Sequence, residues 1–255
     1  MKNKNAEKED LARCDIGIVC ALPIELSAFM DRCEKVNKYS GGEFVFRGGR
    51  YDKIRIALVE SGMGFARARR ATQSLIEAHA PAWIISAGYS GALQPEIKLG
   101  DIVIGTSIVD THGHELKIDM NMPADPEKGL HVGRLVTADK LVRKADEKSQ
   151  LAEQYKALAV DLESLAVAQV SRENKTPFMA VRVISDDRAT ELPPEILSVV
   201  GATGSVRWGA AIGAVWKRPG SVKEMWQLRE LAQKSSEKLA SFLDGIVHQL
   251  YQSKH

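Results

Sequence analysis

Acidic side chains follow three apolar segments of the chain, each segment having the length and composition of a buried strand. Carboxylates are costly to bury unpaired, so this placement indicates solvent, a partner or a ligand. An equally open interpretation is that each carboxylate caps the helix after it by accepting backbone N–H groups. The acids are Glu25, Asp161, Glu163, Asp186 and Asp187.

Two glycine clusters, Ser61–Gly64 and Gly88–Gly91, lie at the ends of predicted strands. Their backbone N–H groups are candidates for contact with an anion or a sugar, and tight turns between strand and helix explain them equally well. Neither cluster has the GxGxxG spacing of dinucleotide-binding proteins or the GxxxxGK spacing of a phosphate loop. We therefore expect neither a nicotinamide enzyme nor an ATP enzyme, and no cofactor.

Metal, disulfide and serine-nucleophile chemistry are not expected. His112 and His114 form an HxH pair in a polar segment with no obvious third ligand. The three cysteines, Cys14, Cys20 and Cys33, lack a CxxC spacing and are typical of reduced thiols in a cytoplasmic protein. No GxSxG segment is present.

The acids and glycines must be positioned by alternating strands and helices. This alternation predicts a mainly parallel sheet covered on both faces, with its site at the carboxyl ends of the strands. After a polar leader at 1–14, we predict a single domain over 15–255. Strands are predicted at 15–23, 82–89 (closed by Gly88 and Gly91), 100–106, 135–136, 157–165 and 178–186, with a hairpin and strand at 41–60. Helices are predicted at 24–33, 65–79, 165–174 and 222–251, and a loop at 112–133.

Composition narrows the functional classes. The chain has 255 residues, of which 44% are apolar, so a sizeable core is expected and disorder is not. The net charge is +2 with scattered basic residues, which argues against a nucleic-acid partner. The charged start does not resemble a signal peptide, and no apolar run is long enough to predict a membrane span.

Six segments in one order resemble the methylthioadenosine/S-adenosylhomocysteine nucleosidases of the purine nucleoside phosphorylase superfamily, over about residues 15–187. The resemblance implies a three-layer α/β/α sandwich around a mixed, partly barrel-like sheet, and a homodimer or higher homo-oligomer. The segments are Gly17–Leu26, Ser61–Gly64, Ile85–Leu93, Gly100–Ile104, Val160–Ser164 and Pro177–Asp186.

The same resemblance implies cofactor-free hydrolysis of the N-glycosidic bond of a purine nucleoside. Asp186 would be the general acid that protonates purine N7, and Glu25 would activate water, with Arg182 close by. Glu163 would bind the ribose hydroxyls. A carboxyl group that protonates N7 near neutral pH needs a pKa above the ordinary value of ~3.9. Asp187 either contributes to such a shift or faces solvent.

Further substrate contacts follow from the resemblance. Leu162 would pack against the sugar, while Leu141 and Val142 would lie against the purine. The predicted substrate-binding set is completed by Asp161, Ser185, Gly88, Tyr89 and Met63.

The sequence also departs from the family. Tyr89 stands where a small hydroxyl residue is usual, which predicts a reshaped nucleophile pocket with Ser90 as a substitute. Ser86 occupies the position of a phosphate-binding arginine in hexameric phosphorylases, so hydrolysis is favoured over phosphorolysis. Phosphorolysis stays open because Arg182, or an arginine of a second subunit, is a candidate phosphate ligand. A catalytically silent nucleoside-binding protein is the third alternative.

Residues 192–216 are apolar and contain Trp208 and Trp216. They are typical of an extra packed helix pair, and alternatively of an apolar wall over the 5′ side of the substrate. Together with Tyr89 and Val160–Ser164, they resemble a subgroup associated with hopanoid biosynthesis. This predicts a bulky apolar 5′ group, as in an adenosylhopane-like substrate.

Overall fold

The computed structural model describes residues 13–192 and 221–254, except for the side chains of 221–229. The predicted leader and the apolar segment that starts at 192 therefore lie almost entirely outside the described residues. The strands are β1 (Ile16–Cys20), β2 (Glu34–Gly41), β3 (Phe44–Tyr51), β4 (Ile54–Glu60), β5 (Trp83–Ala92), β6 (Ile102–Asp110), β7 (Glu115–Lys117), β8 (Leu130–Thr137), β9 (Ala159–Asp161) and β10 (Phe178–Asp186). The helices are α1 (Ser27–Met30), α2 (Phe65–His79), α3 (Ala145–Tyr155), α4 (Ser164–Glu173) and α5 (Ser221–Gln252), with 3₁₀ turns at Pro23–Leu26 and Pro126–Lys128.

Five strands close into a ring in the order β5–β9–β8–β6–β10, because β10 also pairs with β5. Strands β1, β4, β3 and β2 extend the sheet outward from β5. Parallel pairs (β1–β4, β1–β5, β5–β10, β6–β8, β8–β9) and antiparallel pairs (β2–β3, β3–β4, β5–β9, β6–β7, β6–β10) both occur. The mixed, partly barrel-like sheet is confirmed, and the mainly parallel sheet inferred from alternation alone is wrong.

Helices cover both faces of this sheet, so the three-layer architecture is confirmed. Helices α2 and α4 place Ala68, Leu75 and Leu165 in one core cluster. Helices α1 and α5 place Phe29 and Leu243 in a second cluster on the other face. A third, smaller cluster lies between α3 and the ends of β8 and β9.

Several predicted boundaries are wrong. Strand β5 continues through Gly88 and Gly91 to Ala92 instead of ending there, since both glycines pair with neighbouring strands. The helix predicted at 24–33 is a 3₁₀ turn and a single α-helical turn, followed by β2, an exposed strand without the alternation of a half-buried one. The loop predicted at 112–133 contains β7 and the start of β8.

Among the described residues, no helix is long and apolar enough to cross a membrane, and no group of three potential metal ligands occurs. His112 and His114 each pair with an aspartate instead, Asp139 and Asp110 respectively. All three cysteines are free thiols, and burial raises the pKa of Cys14 to about 12 and that of Cys33 to about 11.

Candidate active site

Arg182 is the centre of a buried polar cluster. It lies in β10, is 1% exposed, and donates from Nε to Asp161 Oδ2 at 2.7 Å. Its Nη2 donates to Ser86 Oγ at 2.7 Å and to Ser164 Oγ at 2.8 Å. Burial disfavours the charge, but Asp161, Glu163 and Glu25 outweigh it and raise the pKa of Arg182. The guanidinium is therefore a fixed cation, and the oxygen atoms around it are the partners that a buried charge requires.

Glu25 is held by backbone N–H groups on both carboxylate oxygens. Oε1 accepts from Tyr89 N at 3.0 Å and Oε2 from Leu22 N at 2.7 Å. The second bond closes the 3₁₀ turn, so the capping interpretation holds for this residue in part. Burial raises the pKa of Glu25, and the two hydrogen bonds oppose that shift. Within the described part of the chain, the carboxylate is thus hydrogen-bonded by backbone groups alone.

Gly88 provides space for the side chains of Glu25 and Arg182, which both lie beside it. It is paired with Arg182 in the parallel register of β5 and β10. A Cβ atom at Gly88 would lie 2.6 Å from Arg182 Nη1 and 2.8 Å from Glu25 Oε1. Only glycine fits between these two groups, which explains this residue at a position inside a strand.

Asp161 and Glu163 both precede the first residue of α4, but their carboxylates have different partners. Asp161 Oδ1 accepts from Thr137 Oγ1 at 2.9 Å and from the N–H groups of Glu163 and Ser164 at 3.1 Å each. Asp161 therefore caps α4 while holding Arg182. Glu163 Oε1 instead accepts from Gly64 N at 2.8 Å. Burial raises the pKa of Glu163 to about 8 although Arg182 opposes this shift.

Asp186 ends β10 and is 5% exposed. Ser185 Oγ donates to its Oδ1 at 2.8 Å, and Lys148 Nζ lies 2.5 Å from its Oδ2. Lys148 comes from α3, and sequence reasoning missed it because it stands in a polar segment typical of a solvated helix. Asp187 turns away, and the hydrogen bond from Thr190 Oγ1 lowers its pKa. The acid is thus approached by a cation, not by a second carboxylate.

Three of the predicted apolar contacts come together. Leu162 belongs to the third core cluster, and the partly buried Met63 and Val142 pack against that same cluster. Leu141 is partly buried in the loop between β8 and α3, beside Val142. The structure therefore joins the loop after β4, the loop after β8 and the start of α4 through one apolar surface.

Tyr89 and Ser90 lie on opposite faces of β5, as neighbouring residues of a strand do. The Tyr89 ring packs against the cluster shared with α1 and α5, and its hydroxyl donates to Ala232 O at 2.6 Å. The hydroxyl also lies 3.5 Å from Ile24 O, next to Glu25, and the reshaping of the nucleophile pocket by the ring stays a prediction. Ser90 Oγ is buried and has no hydrogen-bond partner among the described residues.

The fold and the site together define the class of this α/β protein. Its mixed sheet closes into a five-stranded ring, and buried acids surround an arginine near the strand ends. The Phosphorylase superfamily model matches residues 15–129 and 119–200. This chain belongs to that superfamily.

Its relatives include the 5′-methylthioadenosine/S-adenosylhomocysteine nucleosidase of Staphylococcus haemolyticus, 26% identical over 195 residues, 67% of this chain and 86% of the relative. The protein of the same name from Tolumonas auensis is 27% identical over 203 residues, 70% of this chain and 88% of the relative. The resemblance to these nucleosidases is confirmed.

Two solved structures from Helicobacter pylori share the fold. A 5′-methylthioadenosine/S-adenosylhomocysteine nucleosidase superposes with a TM-score of 0.69 at 19% identity, covering 93% of this chain and 99% of the other. A futalosine hydrolase also gives 0.69, at 18% identity, covering 93% and 98%.

Proposed function

We propose that this protein hydrolyses the N-glycosidic bond of a 5′-substituted adenosine and releases adenine. The observation that carries this proposal is the approach of Glu25 Oε1 and Arg182 Nη1 to the same glycine, Gly88, with Asp186 at the end of the strand that carries Arg182. Asp186 stands four positions after Arg182 on the strand, about 13 Å between Cα atoms at the usual rise. That separation leaves room for a nucleoside between a water-activating group and an acid.

The chemistry assigns one task to each group. Asp186 loses its proton to purine N7, while the C1′–N9 bond breaks and its electron pair moves into the purine. Water forms a bond to C1′ and gives a proton to the Glu25 carboxylate, whose burial makes it a stronger base. Glu163 binds the ribose hydroxyls, and the Glu25 carboxylate stabilises positive charge on the sugar. Proton exchange with solvent restores both carboxyl groups after product release.

Asp161 and Ser185 act as supports in this scheme. Asp161 holds Arg182 and the start of α4, while Ser185 orients Asp186. Leu162, Met63 and Val142 offer the apolar surface for sugar and base, together with Leu141. The unpartnered hydroxyl of Ser90 is a further polar contact for the nucleoside.

Water fits the nucleophile position better than phosphate does. A phosphate dianion requires positive charge with unused donors. Arg182 directs Nε and Nη2 to Asp161, Ser164 and Ser86. The carboxylate of Glu25 would also repel the dianion. A phosphorylase is the second candidate, with Arg182 or an arginine of a second subunit as the phosphate ligand.

The name of the bacterial relatives suggests methylthioadenosine and S-adenosylhomocysteine as substrates. The resemblance of residues 192–216 to the hopanoid subgroup adds an adenosylhopane-like substrate with a large apolar 5′ group. We further infer one domain over 15–255, a homodimer or higher homo-oligomer, and a cytoplasmic location.

The test is adenine release from methylthioadenosine, S-adenosylhomocysteine and a 5′-alkyl adenosine, each with and without phosphate. We expect phosphate-independent release that falls at least ~100-fold in Asp186→Asn. Release that requires phosphate and yields a sugar 1-phosphate would make the protein a phosphorylase. Tight nucleoside binding without release would favour the silent binding protein.

A further inference from the structure

Lys148 is a buried cation beside the proposed acid. Its side chain is 0% exposed although the neighbouring α3 residues Asp146 and Gln150 are exposed. Nζ donates to Asp187 O at 2.6 Å and to Thr190 O at 2.9 Å, and it lies 2.5 Å from Asp186 Oδ2. The ammonium group thus has three oxygen neighbours: it donates hydrogen bonds to two of them, and its contact with Asp186 Oδ2 is an ion pair without hydrogen-bond geometry.

The surrounding backbone leaves room for this pair. Gly91 is the β5 partner of Asp186, at an irregularity in the register of β5 and β10. A Cβ atom at Gly91 would lie 3.0 Å from Asp186 Oδ2 and 3.5 Å from Lys148 Cε. Glycine at this position lets the lysine stem and the carboxylate approach each other.

We propose that Lys148 is a positioning residue for the general acid, an inference that rests on the proposed function. Ser185 Oγ donates to one oxygen of Asp186, and the Lys148 ammonium lies beside the other, which accepts no hydrogen bond from the described residues. When the Asp186 O–H bond breaks and the N7–H bond forms, the carboxylate gains negative charge 2.5 Å from the ammonium. A fixed charge where charge develops favours that proton transfer, most strongly in a buried site.

A purely structural role is the competing explanation, because Lys148 also joins the carbonyl groups of Asp187 and Thr190. The two roles differ in their dependence on the leaving group. Adenine departs well only when N7 is protonated, whereas 4-nitrophenolate departs without protonation. If the Lys148 charge assists Asp186, its removal slows adenine release selectively. If Lys148 only holds residues 187–190 in place, its removal displaces that segment and slows both reactions.

The experiment compares methylthioadenosine with the 4-nitrophenyl 5-methylthioriboside in wild type, Lys148→Met, Lys148→Arg and Asp186→Asn. We expect Lys148→Met to lower kcat for adenine release ~10- to 100-fold, KM to change less than about threefold, and nitrophenol release to fall less than about threefold. Asp186→Asn gives the same selectivity with a larger loss, and Lys148→Arg, which keeps the charge, retains most of the activity.

Asp187→Ala is the matched control, because it removes the bonds to Thr190 without touching the Lys148–Asp186 pair. It should affect both substrates equally. If Lys148→Met does not fold, Gly91→Ala tests the same pair by pushing the Asp186 carboxylate away from the ammonium. Equal losses on both substrates in a folded variant would overturn the assignment of Lys148 alone. A wild type that cleaves neither substrate would overturn the proposed function as well.

Discussion

The two ends of the candidate site are built in different ways. At the Glu25 end, the carboxylate is oriented by backbone N–H groups and lies against an arginine over a glycine. At the Asp186 end, the carboxylate is oriented by two side chains, Ser185 and Lys148. The Glu25 end depends on the course of the main chain, so a substitution that adds atoms beside the backbone should disrupt it most. The second depends on individual side chains and should respond selectively to their removal.

Gly88→Ala is expected to have the largest effect. The new methyl group would lie within 3 Å of both Arg182 Nη1 and Glu25 Oε1, so one or both groups must move. Displacing catalytic groups by about 1 Å costs on the order of 100-fold, and two displaced groups should lower kcat/KM about 1,000-fold or more. Steady-state kinetics of adenine release measures this loss.

Gly48→Ala serves as the control for that variant. Gly48 lies in the middle of β3, and a Cβ atom there would meet only Tyr39 Cε1, at 4.0 Å. Its activity should stay within about twofold of wild type, since it changes only local strand packing. Near-normal activity of Gly88→Ala would show that Glu25 and Arg182 need not meet above Gly88.

Glu25→Gln should produce the next largest loss and should contrast the two ends directly. The amide keeps the shape but cannot take a proton from water, so we expect a ~100- to 1,000-fold lower kcat. Because water attack is common to every substrate, adenine and 4-nitrophenol release should fall together. A selective loss of adenine release in this variant would instead place Glu25 on the leaving-group side.

The contrast also explains how far the sequence predicts the site. Glu25 and Asp186 were predictable because each follows or ends an apolar segment, where parallel strands present side chains to one edge. Arg182 lies inside its strand and was predicted only from the resemblance to the nucleosidases. Lys148 carries no such signal, since burial of one lysine in a polar helix depends on how α3 docks. The use of Asp161 as both helix cap and arginine partner likewise depends on contacts between β9, β10 and α4.

The mainly parallel sheet predicted from alternation alone was wrong for a related reason. The antiparallel pairs β5–β9 and β6–β10 depend on which strands close the ring, and hydrophobic periodicity does not report that choice. Strand β9 has three residues, too few for a pattern. By contrast, α2 was predicted with its observed bounds, because Gly64 before it and an apolar stripe along it mark the helix locally.

Glu163 should make stability fall as pH rises. Burial raises its pKa from 4.5 in the unfolded chain to about 8, so the folded protein holds a proton that the unfolded chain has lost. This contribution is fully present below pH 4.5 and is lost as pH rises through about 8. Denaturant unfolding at pH 5 and pH 8 should show a decrease of a few kcal/mol, and Glu163→Gln should flatten it. Glu25 adds a residual slope of the same sign; an unchanged slope in the glutamine variant would contradict the buried, protonated state of Glu163.

Tyr89→Phe should have the smallest effect and tests whether the Tyr89 hydroxyl, which donates to Ala232 O and lies 3.5 Å from Ile24 O, is separate from the site. The variant loses the hydrogen bond to Ala232 O but keeps the ring packing and the backbone N–H bond to Glu25. We expect the free energy of unfolding to fall by about 1 kcal/mol and kcat to change less than about twofold. The hydroxyl contacts α5, and the catalytic scheme uses only the Tyr89 backbone. A fall in kcat of more than about twofold would therefore mean that α5 influences the orientation of Glu25.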